Sequence, residues 1–175
     1  MPYSERLQKN RLAKGNVIWT IALLLACTTS TGRAAEPLKY YGFDKASHAT
    51  DLQGWGSTDP IFSVLFDKLR PKHVAEIGTW KGASALHMAY LANQYGLEDC
   101  EIVCIDTWLG SIEHWFFRDR PDYFPSLKLR QGYPTLYMTF LANVIEAGAT
   151  ERIVPFPVAS TAAARFSPRT RSSSI

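Results

Sequence analysis

Hydrophobic and polar positions fall into regular patterns over the middle of this 175-residue chain, and those patterns predict alternating helices and strands. Thr58-Asp59-Pro60 reads as a helix start, with a capping side chain ahead of a proline at the first helical position. Ile61, Leu65 and Leu69, with Phe62 and Phe66 alongside, then form an apolar stripe suited to covering one face of a sheet. Residues His73 to Ile77 make a short run, apolar apart from its last acid and preceded by Arg70-Pro71, which predicts a strand buried on both faces. From Ala83 the period becomes helical through Leu86, Ala89 and Tyr90, and Gly96 supplies a C-terminal cap. A second apolar run, Ile102-Val103-Cys104-Ile105, closes on Asp106. Leu136, Phe140 and Val144 mark a helix from Thr135 to Ala147 that stops at Gly148. Arg152 to Phe156 reads as a third strand, which Pro155 and Pro157 confine to an edge. The order predicts an α/β fold, a mostly parallel sheet with flanking helices.

Between Asp106 and Pro134 the period weakens and aromatic residues accumulate: Trp108, Trp115, Phe116, Phe117, Tyr123, Phe124 and Tyr133, mixed with His114, Arg118, Asp119 and Arg120. So long a connection in a compact α/β domain is usually functional or carries small elements of its own, and a lid over a substrate is the expectation.

The two ends read differently. Arg6, Lys9, Arg11 and Lys14 precede an apolar run from Val17 to Cys27, followed by small residues. That is the layout of a secretory signal, and the run is too short to span a bilayer. Leu24-Leu25-Ala26-Cys27 also resembles a lipoprotein processing site. Thr161 to Phe166 could open a helix, whereas residues 167–175 have no apolar period and the composition of a disordered tail. The expected organisation is a signal-like or disordered segment over 1–38, a partial domain over 39–166 and a tail.

Charge changes the picture little. The net charge of +3 is 19 basic minus 16 acidic residues, but residues 1–16 and 165–175 each contribute +3, which leaves the middle at −3. The basic excess sits at the ends and gives no footprint for nucleic acid. With 46 % apolar residues the chain can bury one core.

The chemistry concentrates in the turn after the first strand. Gly78 permits positive φ or a tight backbone approach, and Gly82 lets the next helix sit close to strand and ligand. Three residues separate these glycines and Ala83 follows, so the turn lacks the longer gap and the Lys-Ser/Thr of a phosphate-binding loop. It also lacks the G-x-G-x-x-G order of a dinucleotide site, which makes a dinucleotide-dependent oxidoreductase a weaker reading. Glu76, just before the turn, would repel a pyrophosphate but can pair with a cationic group. A ligand with an ammonium and no phosphate fits better.

Glu76-Ile77-Gly78-Thr79-Trp80-Lys81-Gly82-Ala83-Ser84 resembles motif I of class I S-adenosylmethionine-dependent methyltransferases, in the catechol O-methyltransferase-like branch whose motif commonly reads E-I-G-T-x-x-G-x-S. The resemblance covers residues 50–160. It implies a Rossmann-like sheet and S-adenosyl-L-methionine as cofactor, contacted by Glu76, Gly78, Thr79, Trp80, Gly82, Ser84, Asp106 and Thr107, with Asp106 on the ribose hydroxyls. The implied reaction is methyl transfer to a small-molecule acceptor, an O-methylation in particular. The family domain has further strands whose acids hold a divalent metal, and those are missing here, so the sheet is expected to be incomplete at its C-terminal side in a truncated or frame-shifted product. A non-catalytic remnant, or an exported or anchored binding protein, is the alternative. The cofactor argues for a cytoplasmic location, with export or membrane anchoring through residues 17–27 as the other outcome, and a homo-oligomer is compatible with the sequence.

Bland readings compete for several residues. Cys27, Cys100 and Cys104 read as buried thiols rather than a metal site. His87 reads as structural, His73 and His48 as peripheral, and Lys81 as solvated. His114 is the histidine closest to the expected acceptor pocket. Glu76 and Asp106 resist a packing explanation, since acids at the carboxyl ends of strands bury charge without benefit to the core.

Overall fold

The computed structural model describes residues 40, 42–44 and 47–165. The signal-like segment, Cys27 and the tail lie outside these residues. Helix α1 (Pro60–Leu69) precedes strand β1 (His73–Ile77), helix α2 (Ala83–Gln94) and strand β2 (Glu101–Ile105). A short helix α3 (Ile112–Phe116) and a 3-10 turn (Phe124–Leu127) interrupt the long connection before helix α4 (Leu136–Glu146), strand β3 (Ile153–Phe156) and the single-turn α5 (Ser160–Ala163). The three strands form one open, all-parallel sheet in the order β1-β2-β3. This is a small α/β architecture.

The local signals explain most boundaries. Asp59 caps α1 by accepting the Ile61 N–H at 2.9 Å, with Pro60 at the first helical position. Gly96 and Gly148 end α2 and α4 in the left-handed conformation, each spanned by a Schellman hydrogen bond: Leu97 N–H to Ala92 C=O at 2.8 Å, and Ala149 N–H to Val144 C=O at 3.1 Å. α4 buries its predicted stripe of Leu136, Phe140 and Val144. In α1 the phase differs from the expectation: Phe62 and Phe66 face the core while Ile61 and Leu69 are exposed. The helix lies against α2, so its inner face is the one that meets a helix surface and takes the two aromatic rings.

The sheet has two unlike faces. Val74 and Glu76, Ile102 and Cys104, and Ile153 are buried. On the other face Ala75 and Ile77, Val103 and Ile105, and Val154 and Phe156 lie in register across the three strands and are only half-buried. Right-handed crossovers that advance in one direction across a parallel sheet put their helices on the same side. β1 is therefore covered on one face, not on both as its apolar run predicts. β3 takes the edge, as its prolines require, and Tyr40 Oη donates to the Ile153 carbonyl at 3.0 Å. Among the described residues no helix is long and apolar enough to cross a membrane.

Gly82 is where the turn after β1 and the helix layer meet. Its φ is +85°, and a Cβ there would lie 2.7 Å from Phe140 Cδ2 in the middle of α4. Gly148 has a φ of +65° with open space around it. Replacing Gly82 by Ala should cost roughly 3 kcal/mol, from backbone strain plus overpacking, against about 1 kcal/mol for Gly148→Ala from strain alone. Urea unfolding of the two variants measures the difference, and equal losses would show that the Phe140 contact is not tight.

Candidate functional site

Parallel pairing sets Ile77 opposite Ile105, so the turns that follow β1 and β2 leave the sheet side by side. A cleft of about 330 Å³ opens there, lined by Glu76, Ile77, Gly78, Thr79, Trp80 and Ser84 from the first strand and turn, and by Asp106 from the second. Gly110, Ser111 and His114 from the long connection, with Gly54, Trp55 and Ser57 from the segment ahead of α1, close its other wall. A crevice at the carboxyl ends of parallel strands is where open α/β sheets hold ligands.

Asp106 shapes this cleft. Its Oδ2 accepts the Trp80 backbone N–H at 2.9 Å and its Oδ1 accepts the Trp108 N–H at 2.8 Å. Both tryptophans have positive φ, +55° and +53°, which a bulky side chain adopts only when its surroundings enforce it. The Trp108 indole N–H donates to the Trp80 carbonyl at 2.7 Å, and the Gly78 N–H donates to the Ile105 carbonyl at 3.0 Å. Each carboxylate oxygen has a second acceptor position, so Asp106 retains capacity for ligand hydroxyls.

Glu76 is buried and accepts from the Ser84 hydroxyl and, at 3.9 Å, from the Cys104 thiol. Burial, helped by the nearby Asp106 charge, raises its pKa from 4.5 to about 7. Burial also pushes the Cys104 thiol well above its ordinary value, which leaves it inert. Thr79 is 2 % exposed, and its hydroxyl, though close to both Glu76 and Cys104, makes no hydrogen bond of good geometry. A buried hydroxyl without a well-aligned partner is costly to the fold.

Of the residues expected at the site, Glu76, Gly78, Thr79, Trp80, Ser84 and Asp106 share the cleft wall. Gly82 and Thr107 do not. Gly82 lies beneath the turn against Phe140, and the Thr107 side chain is exposed and accepts the Leu109 N–H at 3.3 Å. Trp108, counted with the aromatic connection, is a core residue packed on Tyr137 and Phe140 at 4.9 and 4.8 Å between centroids.

Lys81 reverses its sequence reading. Its side chain is 1 % exposed, and Nζ donates to Asp51 Oδ2 at 2.8 Å and Gln53 Oε1 at 3.1 Å. Lys128 reaches the same Asp51 oxygen at 2.9 Å. Burial alone would raise Asp51, but the hydrogen bonds from Lys128 and Lys81 hold it down to about 2. Asn143 on α4 completes the knot: its Nδ2 donates to the Asp51 carbonyl at 2.7 Å and the Lys81 carbonyl at 2.8 Å, and its Oδ1 accepts the Asp51 N–H at 2.9 Å. Gln53 also accepts the Trp80 indole N–H at 3.0 Å. Sequence reasoning missed Asp51, Gln53 and Asn143. The one available signal was Asn143 in an otherwise apolar helix stripe, since a buried amide there needs partners.

Comparison of the chain with protein-family models, with curated proteins and with solved structures finds no match. Among the described residues no group of three or more His, Cys, Asp or Glu is arranged to hold a metal ion. The geometry of the cleft therefore carries the functional argument.

The Glu76 pKa has a consequence for stability. The unfolded chain releases this proton near pH 4.5 and the folded chain near 7, so the folded state binds more protons in between. Stability should decline as pH rises through that window, by an amount on the order of 3 kcal/mol, and level off above it. Glu76→Gln should remove this component. Urea titrations of both proteins from pH 4 to 8 test it, and parallel curves would refute it.

Proposed function

We propose that this chain carries the cofactor-holding part of a class I S-adenosylmethionine-dependent methyltransferase on a Rossmann-like sheet, similar to the catechol O-methyltransferase-like branch, acting on a small-molecule acceptor oxygen. The observation that supports this reading best is the placement of two acids, Glu76 and Asp106, on adjacent parallel strands beside one glycine-bearing turn and one cleft. Glu76 would pair with the cofactor's ammonium, and Asp106 would accept ribose hydroxyls on the oxygen positions left by Trp80 and Trp108. The unpartnered Thr79 hydroxyl and the absence of any phosphate-type loop fit the same ligand. The bound cofactor would supply an electrophilic methyl group for transfer to the acceptor oxygen.

The protein's part is positioning, because a thioether leaving group needs no protonation. Asp106 fixes the turn, Ser84 orients Glu76, and the Trp80 and Trp55 rings wall the cleft where a cationic sulfonium gains from aromatic faces. A cytoplasmic location follows from this reading, since the methyl donor is made and used there.

The half-open apolar face of the sheet favours a second reading, in which the chain binds the cofactor without turning over. Titration calorimetry with S-adenosylmethionine and S-adenosylhomocysteine, followed by a methyl-transfer assay, separates the readings. Heat without turnover supports the second, and no heat with either ligand defeats both.

Two variants sharpen the test. Asp106→Ala should lose roughly 2–4 kcal/mol of stability, because two strained backbone amides lose their charged acceptor, and should abolish binding. Thr79→Val should leave the melting temperature unchanged or higher, because a buried unpaired hydroxyl is removed, while weakening S-adenosylhomocysteine about tenfold through the loss of one hydrogen bond. A Thr79→Val protein that melts lower and binds normally would mean that the hydroxyl serves the fold.

A further inference from the structure

The long connection carries apolar side chains on its outside. Ile112 and Phe116, one turn apart on α3, are 69 % and 77 % exposed, the two highest values for large apolar side chains among the described residues. Leu109, Trp115 and Phe117 beside them are also exposed. Residues four apart share a helix face, and His114, buried on the cleft wall, projects from the opposite side of the same short helix. α3 is therefore a wall with two sides: one closes the cleft, and the other is an apolar ridge in water. The ridge is braced, and its polar hydrogen is committed. Trp115 donates its indole N–H to the Leu109 carbonyl at 3.0 Å and meets the edge of Phe124 at 6.0 Å between centroids. Two cations flank the rings, Arg118 at 5.2 Å from the centre of Phe124 and Arg120 at 4.6 Å from that of Phe117.

We propose that this ridge docks the protein on a phospholipid surface, with Ile112 and Phe116 inserted among the acyl chains and the Arg118 and Arg120 guanidinium groups near the phosphates. A protein partner would need a groove shaped to the ridge, whereas lipid closes around a convex apolar protrusion of any shape. Tryptophan, phenylalanine and arginine together are the composition of a membrane–water interface. Insertion strands no indole hydrogen, because Trp115 has already bonded its own within the chain. The sequence ahead of the described residues carries a second signal of the same kind, with Arg6, Lys9, Arg11 and Lys14 preceding the apolar run over residues 17–27. One shallow insertion holds a membrane weakly, and two together hold it stably. Residues 109–124 carry Arg118 and Arg120 against Glu113, Asp119 and Asp122, so attachment through the ridge comes from apolar burial and not from long-range attraction. The chain lies on the bilayer without crossing it, and the cleft sits one helix diameter, about 10 Å, from the lipid. This goes beyond the methyl-transfer reading and does not depend on which ligand the cleft holds.

The test sediments the full chain with phosphatidylcholine vesicles, with and without phosphatidylglycerol, over a range of lipid concentrations. The wild type should bind both. The double variant Ile112→Ser, Phe116→Ser should bind both roughly tenfold more weakly or worse, because two apolar side chains no longer enter the lipid. Its melting temperature should stay close to that of the wild type, since neither side chain packs inside the protein. Lipids brominated on the acyl chain should quench a part of the tryptophan emission that Trp115→Phe lacks, which reads the ridge itself whatever the N-terminal segment contributes. A wild type that stays in solution, a double variant that binds as tightly as the wild type, or equal quenching of the wild type and Trp115→Phe would each overturn the proposal. Light scattering without lipid reads the competing occupant: a wild-type dimer that the double variant turns into a monomer would give the ridge to a second copy and remove the membrane assignment.

Discussion

The Asp106 carboxylate holds two turns that would otherwise separate. Trp80 and Trp108 both sit in the left-handed region, where a large side chain costs on the order of 1–3 kcal/mol, and both direct their backbone N–H groups to the two oxygens of this one residue. Because β1 and β2 are adjacent and parallel, the two turns leave the sheet at the same level, and a single side chain can bridge them. The bridge sets the cleft opening between Glu76 and Asp106. It also turns the Trp80 ring toward His114 and the Trp108 ring down into the core, where Tyr137 and Phe140 receive it.

A second polar constraint secures the same turn from below. Asn143 satisfies both its amide hydrogens and its carbonyl on the backbones of Asp51 and Lys81, and Lys81 is neutralised by Asp51 after losing almost all its water. A buried ammonium is tolerated only when paired and hydrogen-bonded, and here both conditions hold. The segment ahead of α1 is thereby strapped to the turn, which brings Gly54, Trp55 and Ser57 to the cleft wall. Two networks of satisfied polar groups thus fix the walls of the cleft.

Local chemistry made much of this legible in advance. The Asp59-Pro60 start, the Gly96 and Gly148 stops, the α4 stripe and the edge position forced by Pro155 all depend on neighbours in sequence, and all appear where the residues place them. The phase of α1 did not follow, because Ile61, Leu65 and Leu69 form as good a stripe as Phe62 and Phe66, and contact with α2 decides between them. Lys81 read as solvated because nothing within a few residues can neutralise it; its partner Asp51 lies 30 positions away.

By itself the sequence determined the kind and order of the three strands and the long helices between them, the glycine-bearing turn after β1, and the two acids at the strand ends, because each follows from backbone preference or from period. Tertiary structure alone decided that those acids share one cleft, that Gly82 serves packing against Phe140 while Thr107 faces outward, and that one face of the sheet stays half-open. It also decided that His114 is buried in the cleft wall, since that depends on Ser111 capturing Nδ1 and on Trp80 stacking from a distant turn. The division has one physical cause: conformational preference acts between neighbours along the chain, whereas burial, charge pairing and hydrogen-bond satisfaction depend on neighbours in space.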